Sequence, residues 1–192
     1  MPLDARSGTA GYVLAGGASR RMGSDKALLP LGGRTLIEHA AAAVREAAGN
    51  VTIIGSPERY RHLGIQVLPD ERPGFGPLGG VITALANGRA EWSLIVACDL
   101  PGLTADLLRG LLAAVDSFPG FECVVPRSPV GLEPLCAVWH VAALPKLRCA
   151  LEAGRLKMKE VVLSLETRIW PVADSQFFRN INTPDEWAIG HE

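Results

Sequence analysis

The sequence predicts an α/β fold built on a central, mostly parallel β-sheet. Apolar, β-rich runs at 11–14, 51–54 and 65–68 alternate with a helical segment, which is typical of parallel strands joined by right-handed crossovers. The run 92–98 is the most hydrophobic, and we expect it to form a central strand that is buried on both faces. Because ligands of such sheets bind beyond the carboxyl ends of the strands, we look for the functional residues there.

The length and composition favour one domain, 1–192, and exclude several classes of protein. The net charge of -1 provides no positive field that would attract nucleic acid. The four cysteines, Cys98, Cys123, Cys136 and Cys149, never form C-x-x-C, so neither a zinc site nor a disulfide framework is expected. No apolar run is long enough to span a bilayer, and no secretory cleavage pattern is present. We therefore expect a cytoplasmic protein that binds neither membranes nor nucleic acid.

The most informative stretch is 14–26, Leu-Ala-Gly-Gly-Ala-Ser-Arg-Arg-Met-Gly-Ser-Asp-Lys, which follows the first predicted strand. Small residues let the backbone bend sharply and approach a ligand, so that N–H groups can converge on phosphate oxygens. Arg20, Arg21 and Lys26 would place three cations around a triphosphate. The alternative is a glycine-rich turn with solvated charges. The presence of three cationic residues within the same short stretch argues against that alternative. The spacing matches neither a Walker P-loop nor a dinucleotide-binding turn.

A helix is predicted directly after a short connector. Thr35 and Glu38 have the spacing of a capping box, and the helix should continue to Ala48 and end at Gly49. Residues 27–33, before this helix, are expected to form a turn and connector. His39, inside the helix, is expected to be exposed or to act as a capping residue.

Three further positions follow predicted strands and should share one edge of the sheet with the basic loop. They are Gly55, Asp70 and Asp99. The stretch 69–80 contains four glycines and three prolines, so we expect an irregular loop that leads into a helix at 81–87. Gly79 would then allow close backbone approach at the start of that helix, although a mere connector explains the loop equally well.

Asp99 is the candidate metal ligand. A carboxylate at the tip of a central strand either caps a helix or binds a metal, and Thr104 is the better cap for the helix predicted at 105–115. Mg²⁺ keeps most of its waters and needs only one or two carboxylates besides substrate phosphates. One aspartate is therefore sufficient.

The second half of the sequence is less distinctive. Strands are predicted at 122–126 and 133–139 with a loop at 127–132 between them, and helices at 142–153 and 156–163 follow. Glu133 either orients a second substrate or is a strand-edge charge, and His140 is expected to cap or to be exposed. Three basic residues are expected on a solvated face: Arg155, Lys157 and Lys159.

Two asparagines near the C-terminus are the last candidate site residues. After a strand predicted at 167–172, Asn180 and Asn182 would point the same way if the chain is extended. Thr183 supplies the cap of a last helix, so neither asparagine is needed for capping.

The motifs together resemble those of the molybdenum cofactor guanylyltransferases. The likeness lies in L-A-G-G-x-S-x-R-M-G-x-D-K, D-x-x-P-G-x-G-P-L-G-G, C-D-x-P and N-x-N-T-P, with E-P-L-C-A-V-W in the second half. It extends from Gly11 to about Glu186. The resemblance implies a three-layer Rossmann-like nucleotidyltransferase fold. It also implies that GMP is transferred from GTP to molybdopterin cofactor with release of pyrophosphate.

The resemblance also implies a set of site residues. Arg20, Arg21 and Lys26 would stabilise the leaving pyrophosphate, and Asp99 would hold Mg²⁺. The nucleotide contacts that it implies are Leu14, Ala15, Gly16, Gly17, Lys26, Gly55, Asp70, Gly79, Asp99, Asn180 and Asn182. Some relatives carry an asparagine where this chain has Gly55, so backbone groups would have to substitute there. Molybdenum-insertion proteins and molybdoenzyme chaperones are the implied protein partners.

Three other functions stay open at this point: cytidylyl transfer, sugar-phosphate nucleotidyl transfer and non-catalytic nucleotide binding. Relatives that load guanine resemble L-A-G-G, whereas those that load cytosine resemble L-A-A-G. Gly16 and Gly17 therefore favour GTP over CTP, because the absent methyl leaves room for a purine against the backbone.

Overall fold

An eight-stranded sheet organises the residues that the computed structural model describes, namely 8–16, 25–88, 90–115 and 120–180. The strands are β1 (Thr9–Ala15), β2 (Pro30–Leu31), β3 (Arg34–Thr35), β4 (Thr52–Gly55), β5 (Gln66–Leu68), β6 (Trp92–Ala97), β7 (Cys123–Ser128), β8 (Gly131–Leu132), β9 (Cys136–His140) and β10 (Thr167–Pro171). The helices are α1 (Leu36–Ala48), α2 (Pro57–Tyr60), α3 (Pro77–Asn87), α4 (Ala105–Ala113), α5 (Leu144–Glu152) and α6 (Met158–Leu163).

The sheet is mostly parallel, as the sequence predicts. Its strand order is β10-β7-β9-β6-β1-β4-β5, and β8 pairs with β7 outside this path. Strand β9 is antiparallel to both of its neighbours, β6 and β7, whereas β1, β4, β5 and β6 pair in parallel. Strand β6 lies at the centre of the order, which confirms the expectation from its hydrophobicity. Strands β2 and β3 form a separate antiparallel hairpin.

Helices cover both faces of the sheet, so the fold has three layers. On one face Val13, Ile53 and Val96 pack in a core with α1 and α4. On the other face Leu14, Ile54 and Ile95 pack with α3, α5 and α6. This alternation follows from the period of two in a strand, in which successive side chains point to opposite faces.

The predicted boundaries of α1 are confirmed in detail. The Thr35 side chain accepts a hydrogen bond from the Glu38 N–H, and the Glu38 carboxylate accepts one from the Thr35 N–H. Gly49 ends the helix with φ of 77°, in the left-handed region that favours glycine. His39, however, is half-buried, and its Nε2 lies 3.0 Å from the Leu103 carbonyl oxygen. It therefore links α1 to the loop before α4 and is neither fully exposed nor a cap.

Three segments differ from the sequence prediction. Residues 27–33 are not a plain connector, because a 3-10 turn at Lys26–Leu28 overlaps their start and strand β2 lies within them. Helix α3 begins at Pro77, four residues before the predicted start, because proline is favoured at the first helical position and Gly76 adopts a positive φ. The predicted loop at 127–132 is a hairpin of β7 and β8, in which Ser128 Oγ accepts a hydrogen bond from the Val130 N–H.

Smaller differences occur at element ends, where α4 ends at Ala113 and α6 begins at Met158. Residues 141–143 form a 3-10 turn before α5, and His140 caps this turn through Nδ1, as the sequence suggested. Residues 176–178 also form a 3-10 turn, so the chain before Asn180 is not extended. No helix in the described ranges is long and apolar enough to cross a lipid bilayer.

Candidate functional site

The carboxyl ends of β1, β4 and β6 meet at one edge of the sheet, which we call the carboxyl edge. Ala15 pairs with Gly55 across β1 and β4, and Leu14 pairs with Ala97 across β1 and β6. The register therefore brings the end of β1, which enters the glycine-rich stretch, beside the chain that carries Asp99.

Lys26 and Asp99 form an ion pair at this edge. Lys26 Nζ donates to Asp99 Oδ2 at 2.8 Å, and the two side chains are only 15% and 23% exposed. The residues are 73 positions apart in the sequence, so the contact is made by the fold. One cationic and one anionic group are thus held together where the sequence predicts a phosphate chain and a metal.

Asp99 is available for a ligand because it does not cap a helix. Thr104 caps α4, and its Oγ1 accepts a hydrogen bond from the Leu107 N–H at 3.2 Å. Asp99 Oδ1 is buried and has no hydrogen-bond partner among the described residues. An unsatisfied buried carboxylate oxygen is unfavourable, and a hard divalent cation such as Mg²⁺ would satisfy it. No group of three or more His, Cys, Asp or Glu side chains that could hold a metal occurs in the described ranges.

The glycines of the carboxyl edge differ in whether packing leaves room for a side chain. A Cβ placed at Gly16 would have no described atom within 4 Å, so packing in this part of the chain does not demand a glycine there. At Gly55 a Cβ would lie 2.9 Å from both the Ala15 carbonyl oxygen and the Tyr60 ring. At Gly79 it would lie 2.4 Å from the Arg72 carbonyl oxygen. Packing thus explains Gly55 and Gly79, whereas no contact among the described residues explains Gly16.

Backbone bonds at Gly79 bear on its predicted role. Its N–H donates to the Gly76 carbonyl, and its own carbonyl accepts from Thr83 Oγ1 at 3.0 Å. Nucleotide contacts by Gly79 and Gly55 stay predictions. Contacts within the chain already explain why both positions are glycine.

Asp70 follows β5 at the same edge and shapes the loop that leads to α3. Its Oδ1 accepts a hydrogen bond from the Arg72 N–H at 2.9 Å and lies 3.1 Å from Thr83 Oγ1, whose single hydroxyl hydrogen it shares with the Gly79 carbonyl. Thr83 is completely buried, so it holds the Asp70 carboxylate against the protein interior. Both of these contacts use Oδ1 and not Oδ2.

A cavity of about 600 Å³ lies next to the Asp99 loop, and we call it the side cavity. Its lining is Leu100, Leu132, Glu133, Pro134, Leu135, Cys136, Lys157, Met158, Lys159, Glu160, Phe178 and Asn180. Leu100 directly follows Asp99, and the Leu135 carbonyl accepts a hydrogen bond from the Ala97 N–H at 2.8 Å. The side cavity therefore adjoins the carboxyl edge.

The side cavity combines an apolar interior with charged groups. Glu133 accepts a hydrogen bond from Ser128 Oγ at 2.7 Å, and Lys157 Nζ lies 3.0 Å from Glu160 Oε1. Lys157, Lys159 and Asn180 are exposed, as the sequence suggested for the lysines. The sequence did not predict that these residues surround a cavity, because they come from separate segments and no motif joins them.

Several predicted site residues lie outside the described residues, namely Gly17, Arg20, Arg21 and Asn182. Of the residues that are described, Leu14 and Ala15 end β1 and Gly16 follows it, Lys26 contacts Asp99, and Asn180 lines the adjoining cavity. Their roles in binding stay predictions.

Covalent catalysis by the cysteine beside Asp99 is not favoured. Burial, followed by the negative charge of Asp99, raises the pKa of the Cys98 thiol to about 12. The thiol is therefore protonated at neutral pH and a poor nucleophile. All four cysteines are unpaired by disulfides, as predicted.

Comparison with known proteins identifies the family. The model of the MobA-like NTP transferase domain matches residues 11–167. A probable molybdenum cofactor guanylyltransferase of Deinococcus radiodurans is 37% identical over 177 residues, which cover 92% of this chain and 90% of that protein. The molybdenum cofactor guanylyltransferase of Shewanella sp. (strain ANA-3) is 34% identical over 179 residues, covering 91% and 90%. The chain belongs to the MobA-like NTP transferase family.

Solved structures share the fold of this MobA-like chain. Molybdopterin-guanine dinucleotide biosynthesis protein A from Archaeoglobus fulgidus superposes with a TM-score of 0.78 at 24% identity, covering 94% of this chain and 95% of that one. CMP:2-keto-3-deoxy-manno-octonic acid synthetase, solved with CTP, has a TM-score of 0.75 at 13% identity, covering 95% and 96%. At such identities the likeness concerns the fold alone, and it agrees with the Rossmann-like nucleotidyltransferase fold that the sequence suggested.

Proposed function

We propose that this MobA-like protein transfers GMP from GTP to molybdopterin cofactor and releases pyrophosphate. The observation that carries the proposal is the Lys26–Asp99 ion pair at the carboxyl edge, beside a cavity that begins at Leu100. An NTP transferase needs a cation for the phosphate chain, a carboxylate for a metal and an adjoining space for the acceptor. The names of the relatives support molybdopterin cofactor as that acceptor.

The chemistry requires no covalent intermediate with the protein. A terminal phosphate oxygen of the acceptor attacks the α-phosphorus of GTP, forming a new P–O bond while the bond to the β-phosphate oxygen breaks. Pyrophosphate leaves with the electron pair of the broken bond. Catalysis of such a transfer rests on positioning and charge neutralisation.

The residues of the carboxyl edge divide this work. Lys26 would bind the triphosphate oxygens, and its low exposure of 15% strengthens the interaction because less water screens it. Arg20 and Arg21 stay predicted partners of the same phosphates. Mg²⁺ bound at Asp99 would supply charge neutralisation at the phosphates. Asp70 Oδ2 would contact the nucleoside.

The side cavity is the proposed acceptor site. Its apolar residues, among them Leu132, Met158 and Phe178, suit a flat ring system, and Lys157 and Lys159 suit an anionic group. Because Leu100 lies in its wall, an acceptor bound there would lie beside Asp99. Asn180 lines the same space, so its predicted nucleotide contact would be made close to the acceptor.

The base and the cellular setting are parts of the same proposal. The open space at Gly16 supports GTP, and cytidylyl transfer is the second candidate because a CTP-bound synthetase shares the fold. We place the reaction in the cytoplasm, and molybdenum-insertion proteins and molybdoenzyme chaperones would be the protein partners of such an enzyme.

A pyrophosphate-release assay tests the proposal. Purified protein is incubated with Mg²⁺, each of GTP, CTP and ATP, and either molybdopterin cofactor or a sugar phosphate. We expect release only with GTP and molybdopterin cofactor, and loss of release when a chelator removes the metal. Release with CTP or with a sugar phosphate would replace the proposal by the corresponding alternative. Nucleotide binding without release in any mixture would indicate a binding protein.

A further inference from the structure

Tyr60 is a buried tyrosine close to the carboxyl edge that no motif of the sequence indicates. It ends α2, and it is only 2% exposed. Its hydroxyl donates a hydrogen bond to Asp25 Oδ2 at 2.8 Å. Burial, the hydrogen bond and the charge of Asp25 raise the pKa of Tyr60 far above its ordinary value. The hydroxyl is therefore a permanent donor at physiological pH.

Asp25 is held through both of its carboxylate oxygens. Oδ1 accepts a hydrogen bond from the Ala27 N–H at 3.1 Å, which caps the 3-10 turn at Lys26–Leu28. Oδ2 accepts from Tyr60 and lies 3.4 Å from the Arg59 guanidinium. The Arg59 side chain is 59% exposed, so that ion pair contributes little, and Tyr60 provides the main constraint.

The constraint on Asp25 is transmitted directly to Lys26. Lys26 is the next residue and the first of the capped turn, and its Nζ donates to Asp99 Oδ2 at 2.8 Å. Lysine has a long, flexible side chain, so the placement of its ammonium depends on a fixed backbone at its base. A carboxylate bonded on both oxygens supplies that fixed base.

Gly55 makes this arrangement possible. A Cβ at position 55 would lie 2.9 and 3.2 Å from two atoms of the Tyr60 ring. The ring therefore occupies space that a side chain at position 55 would need. This also accounts for a glycine at the position where some relatives carry an asparagine.

We propose that Tyr60 is a positioning residue that orients Lys26 through Asp25 for binding of the phosphate chain. This inference rests on the phosphate-binding role of Lys26 in the proposed function. It adds a chain of contacts, Gly55–Tyr60–Asp25–Lys26, in which the tyrosine touches neither substrate nor metal.

A double-mutant cycle on phosphate binding tests the proposal. The variants are Tyr60→Phe, Lys26→Ala and the two combined, and the probe is inorganic triphosphate with Mg²⁺, measured by calorimetric titration. Tyr60→Phe removes one hydrogen bond and should weaken triphosphate binding about three- to tenfold. In the Lys26→Ala background the same substitution should have almost no further effect, because its target is gone.

The control is Tyr12→Phe, which uses the only other tyrosine of the chain. Tyr12 is 4% exposed and packs in the core on the α3 side of the sheet, away from Asp25. It should leave triphosphate affinity unchanged, and both phenylalanine variants should keep a melting temperature near that of the wild type.

The outcomes separate this inference from the proposed function. Additive losses in the cycle, unchanged affinity in Tyr60→Phe or in Lys26→Ala, or no binding by the wild type would each overturn the positioning role. Pyrophosphate release by the wild type is measured in parallel. A coupled cycle in a protein that fails to release pyrophosphate would reject the transferase while supporting the positioning of Lys26.

Discussion

The carboxyl edge and the side cavity hold their charged groups in different ways. At the carboxyl edge Lys26 and Asp99 are 15% and 23% exposed and bonded at 2.8 Å. At the side cavity Lys157 and Glu160 are 81% and 59% exposed, although they lie 3.0 Å apart. Charges that water screens weakly act over short, defined distances, whereas exposed charges attract ligands without fixing them. Under the proposed function, the reacting phosphates would therefore be held by fixed charges and the acceptor mainly by shape.

The largest effect should come from Asp99→Ala at the carboxyl edge. Removal of the carboxylate that would hold Mg²⁺ should lower kcat by about two to three orders of magnitude, as for other losses of a preorganised electrostatic group. The protein should stay folded, because the cap of α4 is Thr104 and not Asp99. Steady-state pyrophosphate release and a thermal melt check both statements.

Asp106→Ala is the matched control, since this aspartate lies in the first turn of α4 and its side chain is 90% exposed. It should retain nearly full activity. An Asp99→Ala enzyme that kept most of its Mg²⁺-dependent activity would remove the metal role and the contrast between the two regions.

An intermediate effect is expected from Gly16→Ala. This substitution tests which nucleotide base the carboxyl edge selects. The added methyl would enter the open space beyond β1 and leave polar groups of guanine unpaired. The preference for GTP over CTP should fall about tenfold to a hundredfold, which corresponds to about 1–3 kcal/mol. The measurement is kcat/KM for both nucleotides.

Gly8→Ala serves as the control, because a Cβ there also meets no described atom within 4 Å and Gly8 precedes β1 at its other end. It should not change the ratio. A wild type that prefers CTP, or a ratio that Gly16→Ala does not alter, would contradict the assignment of the base.

The smallest effect is expected at the side cavity, from Lys159→Gln. Since this lysine is exposed, its loss should raise KM for the acceptor only about two- to fivefold and leave KM for GTP unchanged. Lys146→Gln is the control, because Lys146 is exposed and pairs with Glu122 outside the cavity lining. If Lys159→Gln altered GTP binding as strongly as acceptor binding, the two regions would not be separate sites.

Much of the fold and of the carboxyl edge could be predicted because the signals are local. The capping box at Thr35 and the apolar run at 92–98 specify their elements within a few residues, and a parallel sheet then brings Lys26 and Asp99 together. The early start of α3 was missed because proline at a first helical position resembles proline in a loop.

The side cavity and Tyr60 could not be predicted in the same way. Lys159 and Asn180 line the same cavity only after α6 and the turn at 176–178 are packed, and Tyr60 bonds to Asp25 across 35 positions of sequence. Contacts of this kind leave no spacing in the sequence, because they depend on tertiary packing. Gly55 is a partial indication of the Tyr60 contact in the sequence. The absence of a side chain at position 55 leaves room for the Tyr60 ring, five residues later.

The reversed direction of β9 has a consequence for how the protein could change its substrate. Because β9 runs against its neighbours, its entrance at Glu133–Cys136 lies where β6 ends, and the hairpin of β7 and β8 leads into it. Five of the twelve residues in the wall of the side cavity, 132–136, thus belong to the stretch that leads into β9, whereas the proposed phosphate-binding groups follow strands. Under the proposed function, the nucleotide and the acceptor would therefore be bound by separate stretches of the chain. A new acceptor could evolve by replacement of residues 129–135 while β1, β4 and β6 keep their sequence.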